Sequence, residues 1–406
     1  MHTWKPRIAI VVSHPIQHFC PQYASFSKMG IAQIKVFFAS ALGYKKYLDS
    51  GFGQEIAWGN LYLEEFDHEF LNNGEIIQPS QDIDAEELDE ALSQYGPQLI
   101  IGYGYFQKYQ RRAHAWGIRN KVPLAYISDS ERRQKRFVVK EWIKYPYLHK
   151  YYSAIDQFLT VGNANEEYYK HFGVPEKKLA RMHFPIDIRV YEKAYSNKTF
   201  LREGVRARYS ISNDEIVIAV VGKLVAWKSQ QHIIEALKGL ENSGTRIHLF
   251  IIGSGPMQSD WEKKAASLKN NSVHFVGFVK PEDLPSFYAA ADIYIHPAAV
   301  EPHSLSISEA IYMGCPVIVS NRCGSYGLDD DVQEGKNGFV FEYGDISGLT
   351  RTIHLMVSEP TLRQQYGQNS HELAIAFQEK AHHGILQYLT KELTGNIHES
   401  SKETAL

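Results

Sequence analysis

The sequence predicts an α/β protein of two doubly wound, Rossmann-like parallel-sheet domains facing a central cleft. Three observations predict it. The chain has 406 residues, and at about 100–200 residues per domain two domains are expected. Short β-branched runs alternate with helical patterns almost from end to end, as parallel sheets with crossover helices require. That alternation lapses once, around Pro185–Asn197, and then starts again.

The first series gives strands near Arg7–Ser13, Ile34–Ser40, Gln98–Gly102, Val122–Ser128 and Gln157–Val161, with helices over Glu86–Tyr95, Gln107–Asn120 and Asn165–Phe172. Runs such as IAIVV are apolar throughout, which marks strands buried on both faces. HFPIDIRVYEKAYSNKT has no clean period and is expected to be the interdomain linker. The second series gives strands over Glu215–Val221, Ile247–Ile252, Val273–Val276, Ala291–His296, Pro316–Ser320 and Gly338–Glu342. Its helices are Ser229–Leu240, Gln258–Lys269, Glu282–Ala290, Leu305–Met313 and Ile346–Val357. The expected domains are residues 1–197 and 198–370, with a C-terminal helix, 371–395, returning to the first. Thr361–Leu393 is long for one packed helix, so a break at Gly367 or Gly384 is expected, followed by a polar, disordered tail after Gly395.

Composition narrows the function classes. The net charge of -3 offers no bulk attraction for a nucleic acid, so none is expected as partner. Three cysteines, Cys20, Cys315 and Cys323, lie at no metal-ligand spacing and suggest a reducing, cytoplasmic setting. No apolar run reaches the ~18–20 residues of a membrane span, and the N-terminus reads as a first strand rather than a signal peptide. Any membrane contact is therefore expected to be peripheral. Tyrosine is abundant at 25 residues, which hints at a cleft lined with amphipathic rings.

In a doubly wound fold, ligands bind at the carboxyl ends of the strands. Three segments put chemistry there. In AVVGKLVAWKSQQHIIEAL a strand ends at Gly222 and a helix begins near Ser229, with Lys223 and Lys228 between them. Two ammonium groups beside a helix amino end form a cradle for a diphosphate, or else two solvated loop residues. In EPHSLSISEAIYMGCPVIVS, Glu301 and Glu309 can each accept hydrogen bonds from vicinal hydroxyls, one from a sugar and one from a ribose. The amides of Ser304 and Leu305 open a helix between them, with His303 just before it. The plainer reading is a pair of surface glutamates favoured by the helix dipole. In LFIIGSGPM and VHFVGF, Gly253 and Gly255 follow one strand, and Gly277, ahead of Phe278, closes another, where a bare backbone lets a flat base lie close. A GxG without a third glycine is a weak dinucleotide signal.

Together the pieces VGKLVAWK, IIGSGP, VHFVGF, ADIYIHPAAVEPHSLSISEAIYMGCPVIVS and GKNGFVFEYGD, in that order from about Glu215 to Val357, resemble family four of the retaining GT-B glycosyltransferases (glycosyl transferases group 1). The resemblance implies a donor site for a nucleotide diphosphate sugar, an acceptor that is a glycan, a lipid-linked or a small-molecule hydroxyl, and no cofactor or metal. It implies that Lys228 binds the donor diphosphate, that Glu301 touches the donor sugar and that Glu309 holds the ribose. Where the family usually has arginine this chain has Lys223, which keeps the charge but loses the planar fork. Lys228, Glu301 and Lys223 are the expected catalytic residues. Gly222, Lys223, Lys228, Gly253, Gly255, Gly277, Phe278, Glu301, His303, Ser304, Leu305 and Glu309 are expected to bind the donor. A nucleotide-sugar epimerase, a phosphorylase or a non-catalytic binding subunit on the same fold remain alternatives.

The first half resembles the family more loosely, in VGNANEEYYKHFGVPEKKLARMHFPID. Family members commonly carry glycines after the first strand; SHPIQHFCPQY has none. His14, Gln17 and His18 there are expected at the cleft, or else in an ordinary capping loop. Asp129 stands near the place where many members have histidine, and is expected at the cleft with no assigned role. Asp82–Ile83–Asp84 has a metal-binding DxD spacing but precedes a helix, where acids cap. Asp329–Asp331 reads as a solvated loop, and His382–His383 as helix residues with no partner at metal-ligand spacing. Residues Glu131–Tyr152 carry seven Lys and Arg against two Glu, interleaved with Phe137, Trp142, Tyr145, Tyr147, Tyr151 and Tyr152. Such a segment suits an anionic lipid surface, or a cleft-edge helix with its rings in the core.

Overall fold

The computed structural model describes residues 5–49, 54–59, 61–78, 80–133, 138–242 and 244–403. It contains two parallel sheets, and the chain has the two-lobed GT-B architecture. The first sheet runs, edge to edge, Asp67–Phe70, Gln33–Phe38, Arg7–Val12, Leu99–Tyr103, Leu124–Ile127, Gln157–Thr160 and Leu179–Arg181. The second runs Ser272–Gly277, Ile247–Ile252, Ile216–Val221, Ile293–His296, Val317–Ser320 and Gly338–Phe341. In both, the first strand in sequence lies inside and the order reverses beside it, which opens a crevice at the carboxyl ends. The strands of RIAIVV and IHLFII are buried because helices cover both faces.

Two edge strands, Asp67–Phe70 and Leu179–Arg181, go beyond the sequence expectation. Both are short and only half-buried, so neither shows an apolar run. The antiparallel pair Tyr47–Asp49 and Gln54–Ile56 also lies outside the expected alternation.

The expected linker is not irregular. Ile188–Ser196 is a helix, and its Tyr191 and Ala194 are buried in the core of the second sheet with Tyr288 and Tyr312. At nine residues the helix is too short for its period to stand out. Its other contacts reach the first half: Arg189 grips Glu65 through two hydrogen bonds of 2.5 and 2.6 Å, and Tyr62 donates to Asp187 at 2.9 Å.

The long terminal stretch is two helices, Pro360–Glu379 and Ile385–Glu403, joined by a π-turn at Lys380–Gly384. The break falls at Gly384 and not at Gly367, which packs against the backbone of Gly314. Ile385, Leu386, Leu389 and Leu393 lie in the core of the first sheet with Phe19 and Tyr23. Contrary to the expected disordered tail, the second helix continues to Glu403, since no proline or cap stops it. His382 is buried, with Nε2 2.9 Å from the Ile186 carbonyl and Nδ1 3.1 Å from Ser25 Oγ. No helix among the described residues is long and apolar enough to cross a membrane.

Candidate active site

A cavity of about 410 Å³ lies between the two sheets. Its walls are the carboxyl ends of Ile216–Val221 and Ile247–Ile252, the amino end of helix Leu305–Tyr312, and loops of the first half.

The loop after Val221 brings Gly222, Lys223 and Lys228 to the cavity. A single 3-10 turn, Ala226–Lys228, aims Lys228 inward. The loop can lie against Gly253 because that residue has no side chain; a Cβ there would sit 2.1 Å from the Gly222 carbonyl oxygen, and its φ of +135° adds strain for any other residue. Gly253 and Phe278 reach the cavity wall, while Gly255 and Gly277 lie outside it. Gly255 makes room for the Leu224 backbone, and Gly277 accepts a hydrogen bond from the Gly253 amide at 2.8 Å.

Lys228 ion-pairs with Glu301, whose Oε2 also lies 2.8 Å from His296 Nε2. Burial pushes the Glu301 carboxyl up, but His296 and Lys228 outweigh it and bring its pKa down to about 2. Glu309 is in the opposite state. Burial raises its pKa to about 7, and its described partners are hydroxyls, with Tyr288 donating at 2.8 Å. The two carboxylates thus line one cavity as a fixed anion and a group that titrates near neutrality.

Ser304, Leu305 and Ser306 form the cavity side of the helix start. The Ser304 amide donates to Ser325 Oγ at 2.8 Å, and the first amides of a helix have no partner within it. His303 lies flat on Phe184, ring centroids 4.9 Å apart. Burial lowers its pKa, but Asp331, at 3.2 Å, with Asp330 and Asp129, outweighs burial and raises it. Neither ring nitrogen is aligned for a hydrogen bond. Of the acidic triplet expected to be solvated, Asp329 is exposed, but Asp330 and Asp331 are buried and part of the site's support. Asp330 is fully buried, taking the Asn163 amide at 3.0 Å and facing Arg181, and Asp331 accepts from Ser308 at 2.6 Å. These partners come from both halves, which is why the sequence hides them.

From the first half, Gln17 and His18 line the cavity. Gln17 Oε1 and His18 Nε2 are buried without a hydrogen-bond partner. Burial, then His14 and His303, lowers the His18 pKa to about 3, so the ring is neutral. His14 falls outside the cavity lining; it pairs with Ser13 Oγ at 2.8 Å. Asp129 also falls outside the lining; burial, helped by Glu301, raises its carboxyl pKa, and His303 opposes the rise. Asp84 does not cap a helix: it binds Arg112 at 2.7 and 3.0 Å, while Asp82 meets Lys108 at 3.3 Å. Among the described residues no cluster of His, Cys, Asp or Glu is placed to hold a metal ion.

Sequence reasoning missed His296, Trp58, Phe184 and Ser306. His296 ends a strand, a position that could have drawn attention. Trp58 and Phe184 stand in stretches without period and carried no signal.

The segment Glu131–Tyr152 divides. Gln134–Phe137 lie outside the described residues, as do the side chains of Val138–Glu141. Arg133 faces no solvent layer of cations: it donates to the carbonyls of Cys323 and Tyr326, each at 2.8 Å, and stacks on the Tyr326 ring at 3.6 Å. Tyr152 is core, whereas Trp142 and Ile143 are 78% and 72% exposed.

Residues 202–373 match the family model for glycosyl transferases group 1. The chain is 27% identical over 177 residues to sulfoquinovosyl transferase SQD2 of Arabidopsis thaliana, covering 43% of this chain and 33% of that protein. It is 29% identical over 171 residues to the lipopolysaccharide core biosynthesis glycosyltransferase LpsE of Rhizobium meliloti, covering 42% and 48%. The match thus spans a third to about half of the length of these relatives. Among solved structures, Anabaena Alr3699/HepE in complex with UDP superposes with a TM-score of 0.68 at 17% identity, covering 96% of this chain and 100% of that one.

Proposed function

We propose that this chain is a retaining glycosyltransferase that moves a sugar from a nucleoside diphosphate sugar to an acceptor hydroxyl. The observation that carries this reading is the cluster at one cavity wall: Lys223, Lys228, the helix start at Ser304–Ser306, and the unlike carboxylates Glu301 and Glu309. The family match of residues 202–373, the glycosyltransferase names of the relatives and the UDP held by the Anabaena protein support it.

In this reading the diphosphate lies on Lys228, Lys223 and the helix amino end, with the His303 ring nearby. Lys228 then exchanges Glu301 for phosphate. Glu301, still held by His296 and still ionised, is free to accept from hydroxyls of the donor sugar. Glu309 takes the ribose hydroxyls. The bond from the sugar's anomeric carbon to the diphosphate oxygen breaks, and the acceptor oxygen bonds to that carbon on the same face. The acceptor proton passes to the departing diphosphate oxygen. The chain's task is to stabilise charge on the leaving group, a task its cations suit without a metal. Trp58, Gln17 and His18 face the acceptor from the first half.

We infer further that the acceptor is carried at a membrane and that the enzyme works in the cytoplasm, peripherally at the membrane's inner face. The exposed Trp142 and Ile143, in a helix flanked by Lys and Arg, support this: indole rings favour headgroup depth, and each nearby cation adds about 1 kcal/mol at an anionic surface.

The donor is identified by melting the protein with a panel of nucleotide sugars, UDP-sugars first. A ligand that binds only the native state raises the midpoint. A rise with one donor class and not with free sugars is expected; no rise with any member of the panel contradicts the reading.

A further inference from the structure

A second cavity, of about 460 Å³, opens at the opposite edge of the second sheet. Asp292 and Pro316 border it, just ahead of strands Ile293–His296 and Val317–Ser320, so it lies at the amino ends of the strands whose carboxyl ends face the cleft. Lys198, Arg202 and Arg363 line it. Lys198 and Arg202 are one turn apart on helix Lys198–Arg208, and Arg363 is in the first turn of Pro360–Glu379.

The charges there do not balance. Asp292 is the one carboxylate among the lining residues, and it is already divided between Arg202 at 2.7 Å, the buried Arg206 at 2.6 Å and the Val217 amide at 2.8 Å. Arg202 and Arg363 also cap helix ends, donating to the carbonyls of Ala290 at 3.0 Å and of Met356 and Val357 at 2.6 Å each. Capping accounts for the two guanidinium groups but not for Lys198. Among the described residues no carboxylate lies within ion-pair range of Lys198; its ammonium sits 5.6 Å over the Tyr195 ring, half-buried. The floor beside it is bare backbone: a Cβ on Gly314 would come 3.1 Å from Lys198 Nζ, and one on Gly367 would come 2.7 Å from the Gly314 carbonyl oxygen. A half-buried ammonium that lacks its own counter-charge, beside guanidinium groups that have one carboxylate to share, in a concave site of small-molecule size, is matched by an anion brought from outside.

We propose that this cavity is a second ligand site, remote from the cleft, for a small phosphate monoester, with Lys198, Arg202 and Arg363 around the phosphate and Gln364 and Gln368 near the organic part. It differs from the cleft in holding no carboxylate free to take vicinal hydroxyls, so it suits a phosphate group and not a nucleoside.

The test measures the melting midpoint of the full chain with inorganic phosphate and with a hexose 6-phosphate, each in the millimolar range. At about ten times the dissociation constant the midpoint is expected to rise by roughly 1–2 °C. The rise is expected to persist in Lys228→Ala, which alters the cleft, to persist in Lys198→Arg, and to vanish in Lys198→Gln. Gln364→Glu, at an exposed rim position, is expected to weaken it without touching the core. The ester is expected to shift the midpoint more than inorganic phosphate does. A wild-type protein that does not respond, a response lost in Lys228→Ala alone, or one that survives both Lys198→Gln and Gln364→Glu overturns the site. Equal shifts from phosphate and ester overturn the monoester assignment.

Discussion

The two walls of the central cavity differ in kind. The second half presents charge: Lys223, Lys228, Glu301, Glu309 and a His303 raised toward its cationic form. The first half presents rings and neutral groups: Trp58, Phe184, the Gln17 amide and a His18 held neutral. A wall of charged and titratable groups suits the diphosphate and ribose of a donor. A wall of rings with unpaired neutral polar atoms suits a sugar acceptor, whose faces are apolar and whose edges are hydroxyls. Each wall can be perturbed separately.

The largest effect is expected on the charged wall. Lys228→Ala should lower kcat/KM by about 10²–10³, on the order of 3–4 kcal/mol of transition-state stabilisation, with an unchanged fold by circular dichroism. Activity within twofold of the wild type would remove Lys228 from the site.

The carboxylates should separate next. Glu301→Gln is expected to reduce kcat with a smaller change in donor KM, and Glu309→Gln to raise donor KM with kcat largely kept, because a ribose contact acts equally in ground and transition states. Since the Glu309 pKa is about 7, donor affinity should rise as pH climbs through that value and the carboxylate forms. In Glu309→Gln the slope should disappear. The same raised pKa has a consequence for stability. Between the ordinary value of 4.5 and about 7 the native state holds a proton that the unfolded state has lost, so this group's contribution falls as pH rises across that window. Indistinguishable kinetics for the two variants would reject the division of roles.

The neutral wall should show a smaller and different effect. Trp58→Ala is expected to raise acceptor KM roughly tenfold while leaving donor hydrolysis unchanged. An equal loss in hydrolysis would place Trp58 on the donor instead. Smaller still is the surface effect. The doubly substituted Trp142→Ser, Ile143→Ser protein should lose binding to vesicles rich in anionic lipid at low salt, with activity on a soluble acceptor kept. Failure of the wild type to sediment with such vesicles ends the membrane proposal.

The same contrast governs how much was legible in the sequence. The charged wall sits where strands end and helices begin, at Gly222, Glu301 and Ser304, and apolar runs mark those places. The residues are close in sequence to the elements that aim them. The neutral wall is assembled over distance. Trp58 follows an irregular pair of short strands, and Phe184 follows an edge strand of three residues. Asp330 and Asp331 look like a solvated loop until the first half is brought against them, and only then do Arg181 and Asn163 appear as partners. Helix Ile188–Ser196 was hidden for another reason: its apolar face, with Ile188, Tyr191, Ala194 and Tyr195, spans nine residues, too few to stand out as a period.

The most direct test of same-face transfer needs no acceptor. With the donor that stabilises the protein, slow transfer to water releases free sugar, and proton NMR reads the anomer formed first, before mutarotation. The account predicts the anomeric configuration of the donor, with one nucleoside diphosphate released per sugar. The opposite anomer appearing first, or release of a nucleoside monophosphate, would contradict it.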